Sequence, residues 1–184
     1  YNASPKFFAC KFTENETDDV GGGLYARNGS SPEFYDCSFM GNVAEFGAGC
    51  YLRNESTPAM YNVTFSGNSA DNSGGGIILK DDADLIASQL YIYENAADGL
   101  GGGLYINNAD PQIAFMMVVD NTSSSGGGIY VRNSSYVQIN NGTIANNLAA
   151  SYGGGVYLRD GADVSFTNSI IFGNDASQIY FRST

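Results

Sequence analysis

Apolar residues recur along the chain in two short alternating patterns, each of which returns about every 26 residues. In the first pattern an aliphatic residue or a cysteine follows a glycine triplet, and the alternation continues beyond it, as in Ile129 and Val131. In the second pattern an apolar residue stands three positions before an asparagine, as Phe12 stands before Asn15. An apolar period of two indicates β-strands, because successive side chains of a strand point to opposite faces.

The two patterns stay in phase over the whole chain. A unit of 26–27 residues matches either a leucine-rich repeat or a β-solenoid coil, and the leucine-rich consensus is absent. Such a unit is too short to bury its own core, so its copies must stack. The sequence therefore predicts a single domain, 1–184, built as an all-β parallel solenoid of about seven coils. The triplets end at Gly23, Gly49, Gly76, Gly103, Gly128 and Gly155, and the paired asparagines are Asn15, Asn42, Asn68, Asn95, Asn121, Asn147 and Asn174.

Gly-Gly-Gly followed by Leu, Ile or Val and then Tyr, alternating with Phe-x-x-Asn, resembles the repeats of chlamydial polymorphic membrane proteins. The resemblance covers essentially the full chain, although that family usually has Gly-Gly-Ala in the triplet. Its members are autotransporter adhesins. The resemblance implies a right-handed, single-stranded parallel β-helix with an adhesive role.

Stacking turns equivalent residues into columns that run along the solenoid. We expect the seven paired asparagines to point inward and to form a hydrogen-bonded ladder. On the strand after the triplet we expect an outward tyrosine column beside an outward basic column. Such a face could bind a carbohydrate or a protein, or its tyrosine rings could stack on each other beneath capping arginines. The predicted face consists of Tyr25, Tyr51, Tyr105, Tyr130, Tyr157, Arg27, Arg53, Arg132 and Arg159.

Charge and composition narrow the function. The net charge is −11, which argues against binding to nucleic acid. No apolar run is long enough to span a membrane. The chain has no histidine, which excludes Ser-His-Asp, Cys-His and histidine–zinc chemistry. We expect no enzymatic activity and no cofactor, with a polysaccharide lyase or hydrolase of the β-helix type as the alternative.

Two further columns suggest local chemistry. Asp18, Glu45, Asp71 and Asp98 each follow a ladder asparagine by three residues, and a Ca²⁺ ion would relieve their repulsion; solvated acids on a variable loop are the alternative. Cys10 aligns with Cys37 in the repeat, so the two should be stacked neighbours within disulfide range.

Asn-x-Ser or Asn-x-Thr occurs eight times, which is more often than the composition predicts. Asn15 and Asn121 belong to the predicted ladder, where a glycan would disrupt the core. The other six are the predicted glycosylation sites and favour an extracellular or cell-surface glycoprotein. They are Asn2, Asn28, Asn54, Asn62, Asn133 and Asn141.

The leading functional hypothesis is an extracellular structural or adhesive β-solenoid. The last strand ends at the turn column in which Tyr1 also falls, so the chain spans about seven whole coils. Copies stacked head to tail would therefore keep strands and ladder in register, and we expect end-to-end self-association into a filament. A fragment of a longer solenoid is the alternative. A carbohydrate- or protein-binding module that uses the tyrosine and arginine columns is the second hypothesis.

Overall fold

Residues 3–182 are described by a computed structural model, and within them every regular element is a short β-strand. The strands are β1 (Lys6–Phe8), β2 (Lys11–Thr13), β3 (Leu24–Arg27), β4 (Glu33–Tyr35), β5 (Ser38–Met40), β6 (Val43–Phe46), β7 (Cys50–Arg53), β8 (Ala59–Ser66), β9 (Ser69–Ser73), β10 (Ile77–Lys80), β11 (Ile86–Tyr93), β12 (Ala96–Ala97), β13 (Leu104–Asn107), β14 (Gln112–Val119), β15 (Thr122–Ser125), β16 (Ile129–Arg132), β17 (Tyr136–Asn140), β18 (Thr143–Ala145), β19 (Leu148–Tyr152), β20 (Val156–Arg159), β21 (Asp163–Thr167), β22 (Ile170–Phe172) and β23 (Ile179–Arg182).

The strands form three parallel sheets that wind into a right-handed β-helix, which confirms the predicted fold class. Eleven strands make the long sheet (β1, β2, β4, β5, β8, β11, β14, β17, β18, β21 and β22). Seven make the tyrosine sheet (β3, β7, β10, β13, β16, β20 and β23), and five make the short sheet (β6, β9, β12, β15 and β19). We number the coils 1 to 7 by the ladder asparagine that each contains, from Asn15 to Asn174.

Inward-facing side chains fill the helix in columns, as the alternation predicts. Phe12 stacks on Phe39 with ring centroids 4.5 Å apart, and Phe39 stacks on Phe65 at 4.6 Å. Beside this stack, Phe7 lies nearly parallel to Phe34 at 5.0 Å. Burying aromatic surface in successive layers supplies the main stabilisation of the stack.

The predicted asparagine ladder is confirmed and runs through all seven coils. In its centre, Asn68 donates from its side-chain amide to Asn95 Oδ1 at 2.8 Å, and Asn95 donates to Asn121 Oδ1 at 3.0 Å. From Asn42 onward, each ladder side-chain amide also donates to a main-chain carbonyl, as Asn95 does to Phe65. The ladder thus satisfies buried carbonyl groups at the corner of every coil. In coil 7, the side chain of Gln178 takes the place of a further ladder asparagine.

The glycine triplet is required by close approach between coils. A Cβ atom on Gly76 would lie 2.5 Å from the carbonyl oxygen of Gly103 in the next coil. The first glycine of the same triplet, Gly74, has a φ of +69°, which side-chain-bearing residues rarely adopt. The triplet therefore forms a tight corner that leads from the short sheet into the tyrosine sheet.

Candidate binding surface

The outward tyrosine column is buried, so the predicted Tyr and Arg binding face is wrong. Tyr51 is 6% exposed and Tyr130 is 1% exposed, and Tyr105 and Tyr157 are buried too. Only Tyr25, in coil 1, is exposed. The glycine corner brings the residue that directly precedes each triplet onto the tyrosines, and this layer buries them. The covering residues include Val20, Phe46 and Leu100.

The basic column caps this buried layer, as in the alternative reading of the sequence. Arg53 Nη2 lies 3.6 Å from Asp81 Oδ2 in the next coil, and Arg159 Nε donates to Asp160 Oδ2 at 2.7 Å. Hydrogen bonds to Asp160 and Tyr130 raise the pKa of Arg159. Arg27 lies over the ring of Tyr25, 5.6 Å from its centroid. These contacts pair the three arginine side chains with groups of the protein itself.

The outer surface of the long sheet carries the strongest sign of a binding surface. In coils 3 to 7 its outward and bend positions comprise 25 residues, and none of them is charged. The centres of protein interfaces are likewise depleted of charge and enriched in aromatic residues and methionine. We call this surface the apolar face. It consists of Ala59, Tyr61, Asn62, Thr64, Ser66, Ile86, Ser88, Gln89, Tyr91, Tyr93, Gln112, Ala114, Phe115, Met117, Val119, Gln138, Asn140, Asn141, Thr143, Ala145, Ser165, Thr167, Asn168, Ile170 and Phe172.

Large hydrophobic side chains project from this face into solvent. Phe115 is 57% exposed and Met117 is 40% exposed, and Ile86, Tyr61, Ile170 and Phe172 are exposed as well. Twelve of the 25 residues of this face are apolar or aromatic and thirteen are polar but uncharged. Exposed hydrophobic side chains bordered by polar residues mark interaction sites in soluble proteins.

Phe115 occupies an unfavourable backbone position. It lies at the bend of the long sheet with a φ of +52°. The equivalent residues in coils 3, 6 and 7 are Asn62, Asn141 and Asn168, and asparagine tolerates this conformation best. Phe115 is held in a left-handed conformation with more than half of its surface exposed, so it gains little burial in return, which points to a role in binding. Sequence reasoning missed it, although an alignment of the units places Phe115 against these asparagines.

Carboxylates border the apolar face on both sides. Glu94 and Asp120 lie at the corner that precedes the ladder. On the opposite side, Asp84 accepts a hydrogen bond from the main-chain amide of Asp110, and Asp163 continues the same row in coil 7. Among residues 3–182, none of these five carboxylates forms an ion pair. The face is therefore an uncharged strip with acidic margins.

Three of the predicted glycosylation sites share one left-handed turn. Asn28, Asn54 and Asn133 have φ values between +54° and +57°, and the same turn carries Asp81 or Asp160 in other coils. The serine that completes each motif is also structural: Ser30, Ser56 and Ser135 each donate from the hydroxyl to a main-chain carbonyl three residues earlier. Turn geometry alone thus selects part of the Asn-x-Ser pattern.

The remaining motifs fall into three environments. Asn62 and Asn141 are exposed at the bend of the long sheet, and Asn62 donates to Asp36 at 2.6 Å. Asn121 is fully buried in the ladder, where a glycan has no room, and Asn15 belongs to the ladder too. Asn2 lies outside the described residues.

The predicted disulfide is wrong, because Cys10 and Cys37 are free thiols. The two residues occupy the same bend of successive coils, Cys10 between β1 and β2 and Cys37 between β4 and β5. Each sulfur is directed at a carbonyl, Cys10 Sγ at Phe8 O (3.4 Å) and Cys37 Sγ at Tyr35 O (3.2 Å). Cys50 is a buried thiol in the core.

The acidic column does not converge on a point. Asp18, Glu45, Asp71 and Asp98 are all exposed, and residues 3–182 contain no group of three or more acidic or sulfur ligands arranged to hold a metal ion.

Comparison with known proteins agrees with the geometry. The family model for a right-handed beta helix region matches residues 1–122 and 98–184. That family includes hydrolases and lyases as well as proteins without enzymatic activity. No curated protein matches the chain. No helix among residues 3–182 has the length and apolar character needed to cross a membrane. Fold, register and family match together assign the chain to the right-handed beta helix family.

Proposed function

We propose that the protein is an extracellular structural and adhesive β-helix that binds a partner protein through the apolar face. The observation that carries the proposal is a set of 25 outward and bend positions without a charge, of which all but Ser66 and Ala145 are at least partly exposed, in a chain whose net charge is −11. The resemblance of the repeats to those of bacterial adhesins points the same way. Parallel pairing of the long sheet keeps this face in register from coil to coil.

The chemistry of the margins indicates the kind of partner. A partner protein with an apolar patch surrounded by lysine and arginine would meet apolar surface at the centre and unpaired carboxylates at the edges. A second copy of this chain would instead bring acidic margins together, which is unfavourable. We therefore propose a different protein, with a basic rim, as the partner.

Glycans at Asn28, Asn54 and Asn133 are compatible with this arrangement. Their turn lies between the tyrosine sheet and the long sheet, outside the apolar face. The side-chain amide of Asn54 donates to Asn28 Oδ1 at 3.2 Å, and an Asn-linked glycan leaves one N–H for such a bond. Asn141, in contrast, is one coil from Phe115, so a glycan there would cover the centre of the face. The proposal therefore requires Asn141 to be unmodified in the form that binds.

A selection experiment tests the binding proposal without a known partner. A random peptide library displayed on phage is selected on the purified protein, with counter-selection on the double variant Phe115→Asn, Met117→Thr. Both proteins are prepared without glycans, because the two substitutions create an Asn-x-Thr motif at residue 115. We expect enrichment of peptides that combine aromatic or aliphatic residues with lysine or arginine. Acidic peptides, or peptides that bind the double variant equally well, would overturn the proposal.

Secretion and glycosylation are tested separately. The chain is expressed behind a secretory leader in eukaryotic cells, and modified asparagines are mapped after enzymatic deglycosylation. We expect modification at Asn28, Asn54 and Asn133. Unmodified asparagine at all three sites in the secreted chain would remove the glycoprotein part of the proposal.

End-to-end association is a second proposal, supported by exposed core positions in coil 7. Phe181 is 70% exposed, whereas its equivalent in coil 6, Leu158, is 4% exposed. Because Gln178 closes the ladder, such a contact would join strand edges and apolar core but not the asparagines. Sedimentation over a range of concentrations tests it: we expect assemblies that Phe181→Ser weakens, and a monomer at every concentration would exclude them.

The proposal includes no enzymatic activity and no Ca²⁺ site. Its test is turnover of acidic polysaccharides with and without Ca²⁺, for which we expect no product. Measurable product formation would favour the lyase or hydrolase alternative.

A further inference from the structure

The tyrosine column contains one break, and the break leaves a cavity. Five of the first six coils place a tyrosine after the triplet, and coil 3 places Ile78 there. The same coil has Ser73 in the covering layer, where coils 2 and 4 have Phe46 and Leu100. The two smaller side chains together leave a cavity of about 280 Å³ between Tyr51 and Tyr105.

The geometry of the cavity matches one aromatic ring. Two coil steps of about 4.8 Å each separate the levels of Tyr51 and Tyr105. Ile78 fills the inner part of the level between them. A ring in the outer part, beyond Ile78, would lie about 4.8 Å from each tyrosine. Tyr130 and Tyr157 stack at this distance, with centroids 4.8 Å apart. Tyr105 is stacked on Tyr130 through one face only, which directs its other face toward the cavity.

The lining distinguishes an aromatic ring from a sugar. Val20, Phe46 and Ile78 are apolar, and the hydroxyl of Ser73 already donates to Asn72 Oδ1 at 3.0 Å. A pyranose would bury several hydroxyl groups against these walls without partners, which is costly. An aromatic ring has no such groups on its faces, and a phenol carries a single hydroxyl where a pyranose carries several.

The mouth of the cavity carries an unpaired cation. Lys80 lines it from the same strand as Ile78, and within residues 3–182 it forms no ion pair. The equivalent basic residues Arg53 and Arg159 are paired with aspartates. Asp19 also lies at the mouth, where an acidic side chain would weaken the attraction of an anion.

We infer that this cavity is a binding site for a small aromatic carboxylate, whose ring completes the tyrosine column and whose carboxylate pairs with Lys80. The site lies on the opposite side of the coil from the apolar face and does not depend on the proposed function. Coil 5 also has a serine, Ser125, in the covering layer, but its tyrosine, Tyr130, keeps the column intact. Coil 3 combines a small covering residue with a break in the tyrosine column.

The test uses 4-hydroxybenzoate, 4-hydroxybenzamide and glucuronate as probes, with binding followed by NMR of the protein amides. We expect 4-hydroxybenzoate to shift signals of coils 2 to 4 around Ile78. Neutral 4-hydroxybenzamide should bind about fivefold more weakly, as expected for the loss of one partly exposed ion pair. Glucuronate should not bind.

Variants taken from neighbouring coils serve as controls that the fold already accommodates. Ile78→Tyr restores the tyrosine column, and Ser73→Leu restores the covering layer. Because each fills the cavity, each should weaken binding of 4-hydroxybenzoate at least about tenfold. Lys80→Asn introduces the residue that coil 4 has at this position. It should weaken binding of 4-hydroxybenzoate and leave binding of 4-hydroxybenzamide unchanged. Asp19→Asn should strengthen binding of 4-hydroxybenzoate. Equal binding to wild type and Ile78→Tyr, preferential binding of glucuronate, or no binding to wild type at millimolar concentration would each overturn the inference.

Discussion

Gln178 Oε1 accepts hydrogen bonds from the side-chain amide of Asn174 at 2.8 Å and from its main-chain amide at 3.3 Å. In every earlier coil the same two donors reach the Oδ1 atom of the next ladder asparagine, as Asn147 does with Asn174. Gln178 also donates from its own amide to the carbonyl of Asn174 at 3.1 Å. A residue from the position of the third triplet glycine therefore closes the ladder from within coil 7.

Replacing Gln178 by leucine should loosen coil 7 while leaving the central coils intact. The change leaves the main-chain amide of Asn174 without an acceptor, at a cost of about 1–2 kcal/mol. Hydrogen exchange should accelerate at Asn174 and in β23 and stay unchanged around Asn95. Unchanged exchange in coil 7 would show that Gln178 does not cap the ladder.

A thiol reagent should detect all three cysteines as free thiols, and the three should differ in reactivity in the folded protein. Burial raises the pKa of the Cys50 thiol, so its thiolate is scarce and inaccessible. Cys10 is half-buried and should react first with a thiol reagent in the folded protein. Cys50 should react only after unfolding. A count of only one free thiol in unreduced, unfolded protein would show that Cys10 and Cys37 form a disulfide.

The buried tyrosine layer should make the protein sensitive to alkali. Burial raises the pKa of Tyr51 and of Tyr130 above the ordinary value near 10. A raised folded-state pKa means that the stabilisation is complete below the unfolded pKa and is lost as the pH rises through the folded one. Unfolding by urea at increasing pH should therefore show a decline that begins above about pH 10.

The control for this decline keeps both rings and removes both hydroxyls. The double variant Tyr51→Phe, Tyr130→Phe should lose less stability between neutral and alkaline pH than wild type does. Identical pH profiles for the two proteins would assign the decline to other groups.

The sequence predicts the direction of a side chain more reliably than its environment. The period of two correctly places Tyr130 on the side opposite the core, and the phase of the repeat correctly stacks Asn68 on Asn95. It does not reveal that the glycine corner folds the covering layer over Tyr130, because that depends on how two strands of one coil meet. The stacking of Cys10 on Cys37 follows from the repeat in the same way, whereas their bonding depends on side-chain orientation.

Departures from the repeat contained more functional information than the repeat itself. Phe115 and Ile78 each replace the residue type that their column favours, Phe115 on the exposed bend and Ile78 in the buried layer. Neither departure has a chemical motif that a search for catalytic or metal-binding residues would detect. Their meaning emerges only when the φ of Phe115 and the cavity beside Ile78 are known.

Replacing Phe115 by asparagine should stabilise the protein. Asparagine tolerates the left-handed conformation, so relief of backbone strain should add about 1 kcal/mol to the free energy of unfolding. Little is lost in return, since more than half of the Phe115 surface is exposed. Urea unfolding of the two proteins at neutral pH measures the difference. Clear destabilisation would mean that Phe115 is part of the packing and is not held in place for binding.

The most direct test of the adhesive proposal is the affinity of one selected apolar and basic peptide for three forms of the protein. The forms are wild type, the double variant Phe115→Asn, Met117→Thr, and Leu148→Thr, which removes an exposed hydrophobic side chain from the short sheet, outside the apolar face. All three are prepared without glycans, because the substitutions create Asn-x-Thr motifs at residues 115 and 146. Threonine is the residue that a neighbouring coil already has at positions 117 and 148, so both changes suit the fold. Loss of two interface anchors should raise the dissociation constant for the double variant at least about thirtyfold, with Leu148→Thr within about twofold of wild type. Equal affinity for wild type and the double variant, or an equal loss in Leu148→Thr, would contradict the assignment of the apolar face as the binding surface.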